Sequence, residues 1–210
     1  MNVITETQNK ESQTAISPEM AVDMLKAGND RFTAGTRIER DYKEQVGLTT
    51  GGQWPFAAVL SCIDSRVPAE IVFDQGIGDI FSARVAGNFV NTDILGSLEY
   101  ACAVAGSKAV VVMGHSACGA VKGACDHVKL GNITPMLDNI QPAIDAITDE
   151  QEDRTSANAS FVQKVADKNV ALTIQAILDR SEVLRNLMEA GKITIVGAMY
   201  HTNSGKVEFI

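Results

Sequence analysis

Two apolar rhythms alternate along this chain. Phe56 to Ser61 (FAAVLS) and Lys108 to Gly114 (KAVVVMG) are continuous apolar runs bounded by polar residues or glycine, as expected of strands buried on both faces of a parallel sheet. Asp79 to Val85 reads as a shorter strand and Lys192 to Met199 (KITIVGAM) as another buried one. Lys206 to Ile210 alternates like an edge strand after the turn Asn203-Ser204-Gly205. Thr92 to Ala105 and Thr134 to Glu189 read as helical, the second interrupted by the polar run Asp149 to Ser160 (DEQEDRTSANAS), which predicts a solvated loop. Upstream, Ser17-Pro18-Glu19 places a capping hydroxyl, a first-turn proline and an acid in helix-starting order, predicting a helix from Pro18 to about Phe32. A weaker helical pattern over Arg37 to Val46 ends at Gly51-Gly52.

Strands alternating with helices predict an α/β fold, a mostly parallel central sheet flanked by helices with right-handed crossovers. We read residues 1–210 as one domain, with a polar tail over 1–16 and a helical arm over 17–50. The 210 residues suffice for one sizeable core. A composition of 45% apolar and 21% charged residues is that of a folded globular protein.

Charge narrows the function classes. A formal net charge of −8 argues against nucleic acid or anionic membrane as partners, because both need a clustered basic surface. No apolar run approaches the roughly 20 residues that span a bilayer. The opening MNVITETQNKESQTAIS has neither a basic nor an apolar leader region, so a cytoplasmic location is expected. In that compartment Cys62, Cys102, Cys118 and Cys125 point to metal or catalytic use for some of them rather than to disulfides.

Cys62-Ile63-Asp64-Ser65-Arg66 follows one buried strand and His115-Ser116-Ala117-Cys118 follows another. Ligand sites of open α/β sheets form beyond the carboxyl ends of strands, so the two motifs converge if these strands are neighbours. Two thiolates and an imidazole suit Zn²⁺ and leave a fourth tetrahedral position free, the arrangement of a catalytic site. Asp64, beside that position, either accepts a hydrogen bond from a zinc-bound water or competes as fourth ligand, and a charge-assisted bond to Arg66 would hold it back. A structural zinc would need Asp64 or Cys125 to close the site. Cys102 and Cys125 otherwise read as small core hydrophobes, and His127 and His201 as surface or supporting residues. Gly76-Ile77-Gly78 precedes a strand, the wrong order for a nucleotide-binding turn. Cys118 lacks a C-x-x-C partner, and Ser116 lacks a G-x-S-x-G elbow.

C-x-D-S-R at Cys62 to Arg66 and H-x-x-C-G at His115 to Gly119 together resemble the double signature of β-class carbonic anhydrases. The resemblance continues through VPAEIVFDQGIGDIFSARVAGN (Val67 to Asn88) and into Gly191 to Phe209. It implies a sheet of four parallel strands plus an antiparallel edge strand, with N-terminal helices packing on a partner subunit in a homodimer or dimer of dimers whose active sites lie at the subunit interface. It implies one Zn²⁺ per subunit on Cys62, His115 and Cys118, a catalytic dyad of Asp64 and Arg66, and a pocket for carbon dioxide and bicarbonate from Gln53, Phe81, Tyr100 and Gly119. Members with an inhibitory bicarbonate site carry a tryptophan where this chain has Val59, so that form of regulation is not expected here.

The activity so implied is reversible hydration of carbon dioxide to bicarbonate and a proton through a zinc-bound hydroxide. Two thiolates donate more charge than imidazoles do, so a preference for mildly alkaline pH is expected. No residue stands out as a proton shuttle. The rival readings are a carbonyl sulfide or carbon disulfide hydrolase with the same ligands, and a non-catalytic zinc-stabilised binding protein, which would need neither an open position nor a dyad.

Overall fold

A computed structural model describes residues 6–210; residues 1–5 of the expected polar tail lie outside the described residues. The rest of that stretch includes a helix, α1 (Lys10–Ala15). Asn9 caps it by accepting from the Glu11 and Ser12 backbone N–H groups, and Ser12 caps back. The helix carries no apolar stripe. It is fixed instead by the buried Gln13, whose Nε2 donates to the carbonyls of Pro55 and Ala105, both at 2.8 Å. Next comes α2 (Pro18–Ala34), with Ser17 as its cap and Gly35 closing it at φ 70°, and then α3 (Tyr42–Leu48), capped by Asp41.

The core elements follow as β1 (Ala57–Ser61), α4 (Ala69–Val72), β2 (Ile80–Arg84) and α5 (Thr92–Glu99), which runs into a π-helical turn over Tyr100–Val104. After them come β3 (Ala109–His115), α6 (Gly119–Cys125), α7 (Ile133–Leu137), α8 (Gln141–Asp145), α9 (Ala159–Arg180), α10 (Glu182–Glu189), β4 (Thr194–Tyr200) and β5 (Val207–Phe209). The sheet order is β2-β1-β3-β4-β5, parallel except for β5, which pairs antiparallel with β4. This is the expected fold class.

Alternate residues of the two central strands feed two cores, which is why their sequences are apolar throughout. Ala58, Leu60, Val110 and Val112 pack with α5, α6, α9 and α10. Ala57, Val59, Val111 and Met113 pack with α2 and the short α4. Ala21, Val22 and Leu25 of α2 are therefore used on the chain's own sheet, and any contact of the N-terminal arm with a partner would have to use other surfaces. Asn29 ties α2 to the far edge of the sheet: its Nδ2 donates to the carbonyls of Val72 (3.0 Å) and Gly205 (2.9 Å), and its Oδ1 accepts from Val207 N–H (2.8 Å).

Two glycines set the depth at which α9 lies on the other face. A Cβ at Gly114 would stand 2.7 Å from Val170 Cγ2, and one at Gly197 3.0 Å from Val170 Cγ1. Without those side chains the middle of α9 settles against the carboxyl end of β3 and the middle of β4. Among the described residues no helix is long and apolar enough to cross a membrane.

Candidate metal centre

β1 and β3 are neighbours, and their onward connections leave to opposite faces. α4, after β1, joins the core under α2, whereas α6, after β3, joins the core under α9. The crevice so opened lies at a topological switch point, where open α/β sheets bind ligands. Cys62 stands just past β1, His115 is the last residue of β3, one residue beyond the expected strand end, and Cys118 caps α6. A left-handed Ala117, φ 55°, turns the chain between strand and helix and brings His115 and Cys118 to one side.

The potential ligand atoms of Cys62, His115 and Cys118 all lie within 4.8 Å of one another, and all three residues are buried. The two sulfurs are 3.9 Å apart, and two thiolates each about 2.3 Å from a tetrahedral zinc stand roughly 3.8 Å apart. His115 is 0% exposed. Its Nδ1 faces the Ser116 carbonyl at 3.0 Å, which fixes that nitrogen as the protonated one. Nε2 is then a buried lone pair with no hydrogen-bond partner. A buried orphan acceptor beside two thiols is costly unless something electrophilic is bound there, so the donor set fits a thiophilic divalent cation such as zinc. Hydrogen bonding from Cys118 pulls the Cys62 thiol far below its ordinary pKa against the cost of burial, helped by the N–H groups of Gly87 and Asp64. The same contact and burial push Cys118 up. Both thiols must give up their protons for a metal to bind.

Asp64 sits at the rim. Arg66 donates to it three times, from its backbone N and Nε to Oδ1 (both 2.9 Å) and from Nη2 to Oδ2 (2.7 Å). This holds the Asp64 carboxyl well below the usual carboxylate range. Its Oδ2 lies 3.9 Å from His115 Nε2, so the carboxylate borders the ligand cluster while Arg66 restrains it.

Three further residues support the centre. From β2, Arg84 donates through Nε to the Cys62 carbonyl (2.9 Å) and through Nη2 to the Asp64 carbonyl (2.6 Å), spanning the first motif. Gly87 N–H points at Cys62 Sγ, 3.4 Å away, and Asn169 on α9 donates to the Gly87 carbonyl at 2.8 Å. A pocket of about 410 Å³ opens from Cys62 and Asp64 past Gly119, Ala120, Val128 and Leu137. Its walls are largely apolar, as a small neutral substrate requires.

Of the residues expected around the substrate, only Gly119 lines this pocket. Gln53 is exposed and precedes β1; at roughly 3.3 Å per strand residue it stands at the opposite end of the sheet from Cys62. Phe81 and Tyr100 pack edge to face, 6.1 Å between ring centroids, in a separate hollow of about 780 Å³ beside β2. Tyr100 is 50% exposed. Cys102 and Cys125 lie in the core, where burial pushes their thiols up to about 12 and about 11. His127 is exposed and His201 sits 3.3 Å from Glu208.

A carbonic anhydrase family profile matches residues 57–207, which contain Cys62, Asp64, Arg66, His115 and Cys118. The chain belongs to the β-class carbonic anhydrases. It is 36% identical over 193 residues to a carbonic anhydrase of Mycolicibacterium smegmatis (91% of this chain, 93% of the relative). It is 34% identical over 194 residues to carbonic anhydrase 2 of Mycobacterium tuberculosis (90% and 91%). Among solved structures it is similar to one of two tetrameric β-carbonic anhydrases from Sordaria macrospora, with a TM-score of 0.67, 27% identity and coverage of 79% and 85%. The fold matches that of the β-carbonic anhydrase CafA of Aspergillus fumigatus at a TM-score of 0.71, 22% identity and coverage of 91% and 89%. The protein is thus a carbonic anhydrase whose first motif is braced by Arg84 and Gly87, which lie in the stretch carrying the family resemblance but had no role assigned from it, and through Gly87 by Asn169, which lies outside that stretch.

Proposed function

We propose that this carbonic anhydrase hydrates carbon dioxide to bicarbonate at one Zn²⁺ per subunit, held by Cys62, His115 and Cys118, with Asp64 and Arg66 as its catalytic dyad. The observation that carries the reading is the convergence of three buried donor atoms, one an orphan imidazole nitrogen, beside a carboxylate that Arg66 pins at the rim. Zinc in such a site acts as a Lewis acid that makes water nucleophilic near neutral pH.

Asp64 supplies orientation. Kept ionised by Arg66, it can only accept, so it takes a hydrogen bond from the nucleophile's O–H and aims the remaining lone pair into the apolar pocket. Arg66 keeps Asp64 from closing over the fourth position, and its exposed side keeps the dyad in reach of solvent. Gly119, which lines the pocket, would offer its N–H to a substrate oxygen, and the apolar wall from Val128 to Leu137 would shield the carbon from water.

The separation of Gln53, Phe81 and Tyr100 from the ligands within one chain supports a site completed across a subunit interface by the same three residues of a second copy. We read the assembly as a homodimer or dimer of dimers, consistent with the tetrameric relative. The four free cysteines suit a reducing compartment, and we read the location as cytoplasmic.

Stopped-flow hydration of carbon dioxide, on protein of measured zinc content at neutral and mildly alkaline pH, tests the reading. Rapid hydration that rises with pH and needs zinc is expected. Full zinc occupancy with no hydration would overturn it, and turnover of carbonyl sulfide alone would move the activity to that substrate.

A further inference from the structure

Two polar residues, Asn169 and Thr173, interrupt the apolar stripe of α9, and Asn169 is the only amide among them. Phe161, Val162, Val165, Ala166, Val170 and Ile177 face the core, and Asn169, 3% exposed, stands among them. A buried amide persists where its hydrogen bonds repay the desolvation. Here the donor reaches Gly87 O at 2.8 Å, in fully buried surroundings. Gly87 in turn directs its N–H to Cys62 Sγ at 3.4 Å.

The geometry around Gly87 leaves that N–H little other support. Gly87 is left-handed, φ 83°, a conformation that glycine holds without strain but does not itself prefer. A Cβ there would stand 2.6 Å from Ile140 Cδ1 and 3.5 Å from Ala120 Cβ, so no side chain can fix the turn. The neighbouring Asn88 is left-handed as well, φ 44°. The loop's own backbone bond, Asn88 N–H to the Val85 carbonyl at 2.9 Å, leaves the Gly87 carbonyl to be held from outside, and the close seating of α9 at Gly114 and Gly197 brings Asn169 within reach of it.

We propose that Asn169 is a positioning residue for the metal ligand Cys62, holding Gly87 so that its N–H donates to the Cys62 sulfur. The inference rests on the reading of Cys62 as a zinc ligand. An N–H donated to a coordinating thiolate withdraws charge from the sulfur and fixes its direction, so Asn169 sets both how firmly the metal is held and how much charge Cys62 gives it.

The test compares wild type with Asn169→Leu, which fills the space without a donor, Asn169→Ala, which empties it, and Thr173→Val, a buried polar deletion one turn along the same helix. Zinc affinity is read by competition with a chromophoric chelator, and the sulfur-to-metal charge-transfer band is read on cobalt-substituted protein. Both Asn169 variants are expected to bind zinc about 10- to 100-fold more weakly and to shift the band, with Thr173→Val matching wild type in both. In wild type substituted with ¹¹³Cd, scalar coupling between the metal and the Gly87 amide proton is expected, whether or not the variants fold. Wild-type affinity and an unshifted band in a folded Asn169 variant would overturn the proposal, as would the absence of that coupling. A wild type that binds no zinc would instead overturn the metal reading itself.

Discussion

Replacing Arg84 by methionine keeps most of the aliphatic stem and deletes the guanidinium that spans the first motif. Two charge-assisted hydrogen bonds vanish, at 2.9 and 2.6 Å, one to the carbonyl of the proposed zinc ligand Cys62 and one to that of Asp64. Among the described residues no carboxylate lies within ion-pair distance of Arg84, so these carbonyls are its partners. Hydrogen bonds to charged groups are worth about 1.5–3 kcal/mol each in stability. Arg84 is half-buried, and water can replace part of that, leaving an expected loss of about 2 kcal/mol. For a chain of this length that is a fall in Tm of roughly 4–8 °C.

The catalytic consequence is larger. Cys62 and Asp64 lie on one short segment past β1, and freeing both carbonyls lets the segment move relative to His115 and Cys118. A displacement on the order of 1 Å can cost about 100-fold in rate, so we expect kcat to fall roughly 10- to 100-fold with KM changing less, because the apolar wall from Gly119 to Leu137 is untouched. Arg84→Lys, a point charge without the fork, should satisfy one carbonyl and recover part of the loss. Thermal unfolding and stopped-flow hydration on zinc-replete protein read the two effects separately. A variant that loses the expected stability while keeping wild-type kcat would show that the metal alone holds the segment and would refute the reasoning.

Asp64→Asn keeps the shape at the rim and removes the charge that Arg66 grips; zinc content should be unchanged while kcat falls by about 10²–10⁴, and an active variant would remove Asp64 from the mechanism. Gly114→Ala puts a methyl 2.7 Å from Val170 Cγ2 and 2.9 Å from Met199 Cε. Overpacking there should cost about 1–3 kcal/mol in chemical denaturation, and an unchanged midpoint would mean that α9 can lift at no cost. Asp74 is buried, which raises its pKa, but Arg31 and Arg40 more than offset this and depress it. Its stabilising contribution is therefore fully present above the unfolded value of about 3.9 and is lost as pH falls through the lower folded value. Asp74→Asn should accordingly be less stable than wild type at neutral pH, with the gap narrowing in acid; a gap that widens in acid would reverse the sign.

The sheet and the Cys62, His115 and Cys118 cluster were legible because each is written in short stretches of chain. FAAVLS and KAVVVMG are apolar at every position since both faces of β1 and β3 are covered, and the ligands sit immediately beyond them. α1 escaped because six residues held by one buried Gln13 have no periodicity to read. The π-helical turn over Tyr100–Val104 sits inside a helical pattern that does not reveal it. The supports of the metal centre escaped for a different reason. Arg84 meets the Asp64 carbonyl across 20 positions, Gly87 meets Cys62 across 25, and Asn169 meets Gly87 across 82. None of these contacts leaves a local spacing, because each depends on β2 lying beside β1 and on α9 settling where Gly114 and Gly197 leave room. One trace did remain: a lone amide in a mostly apolar helix stripe has to be satisfied by something, and in a chain whose Cys62 and Cys118 pack in the core under that helix, the proposed metal centre is where to look first.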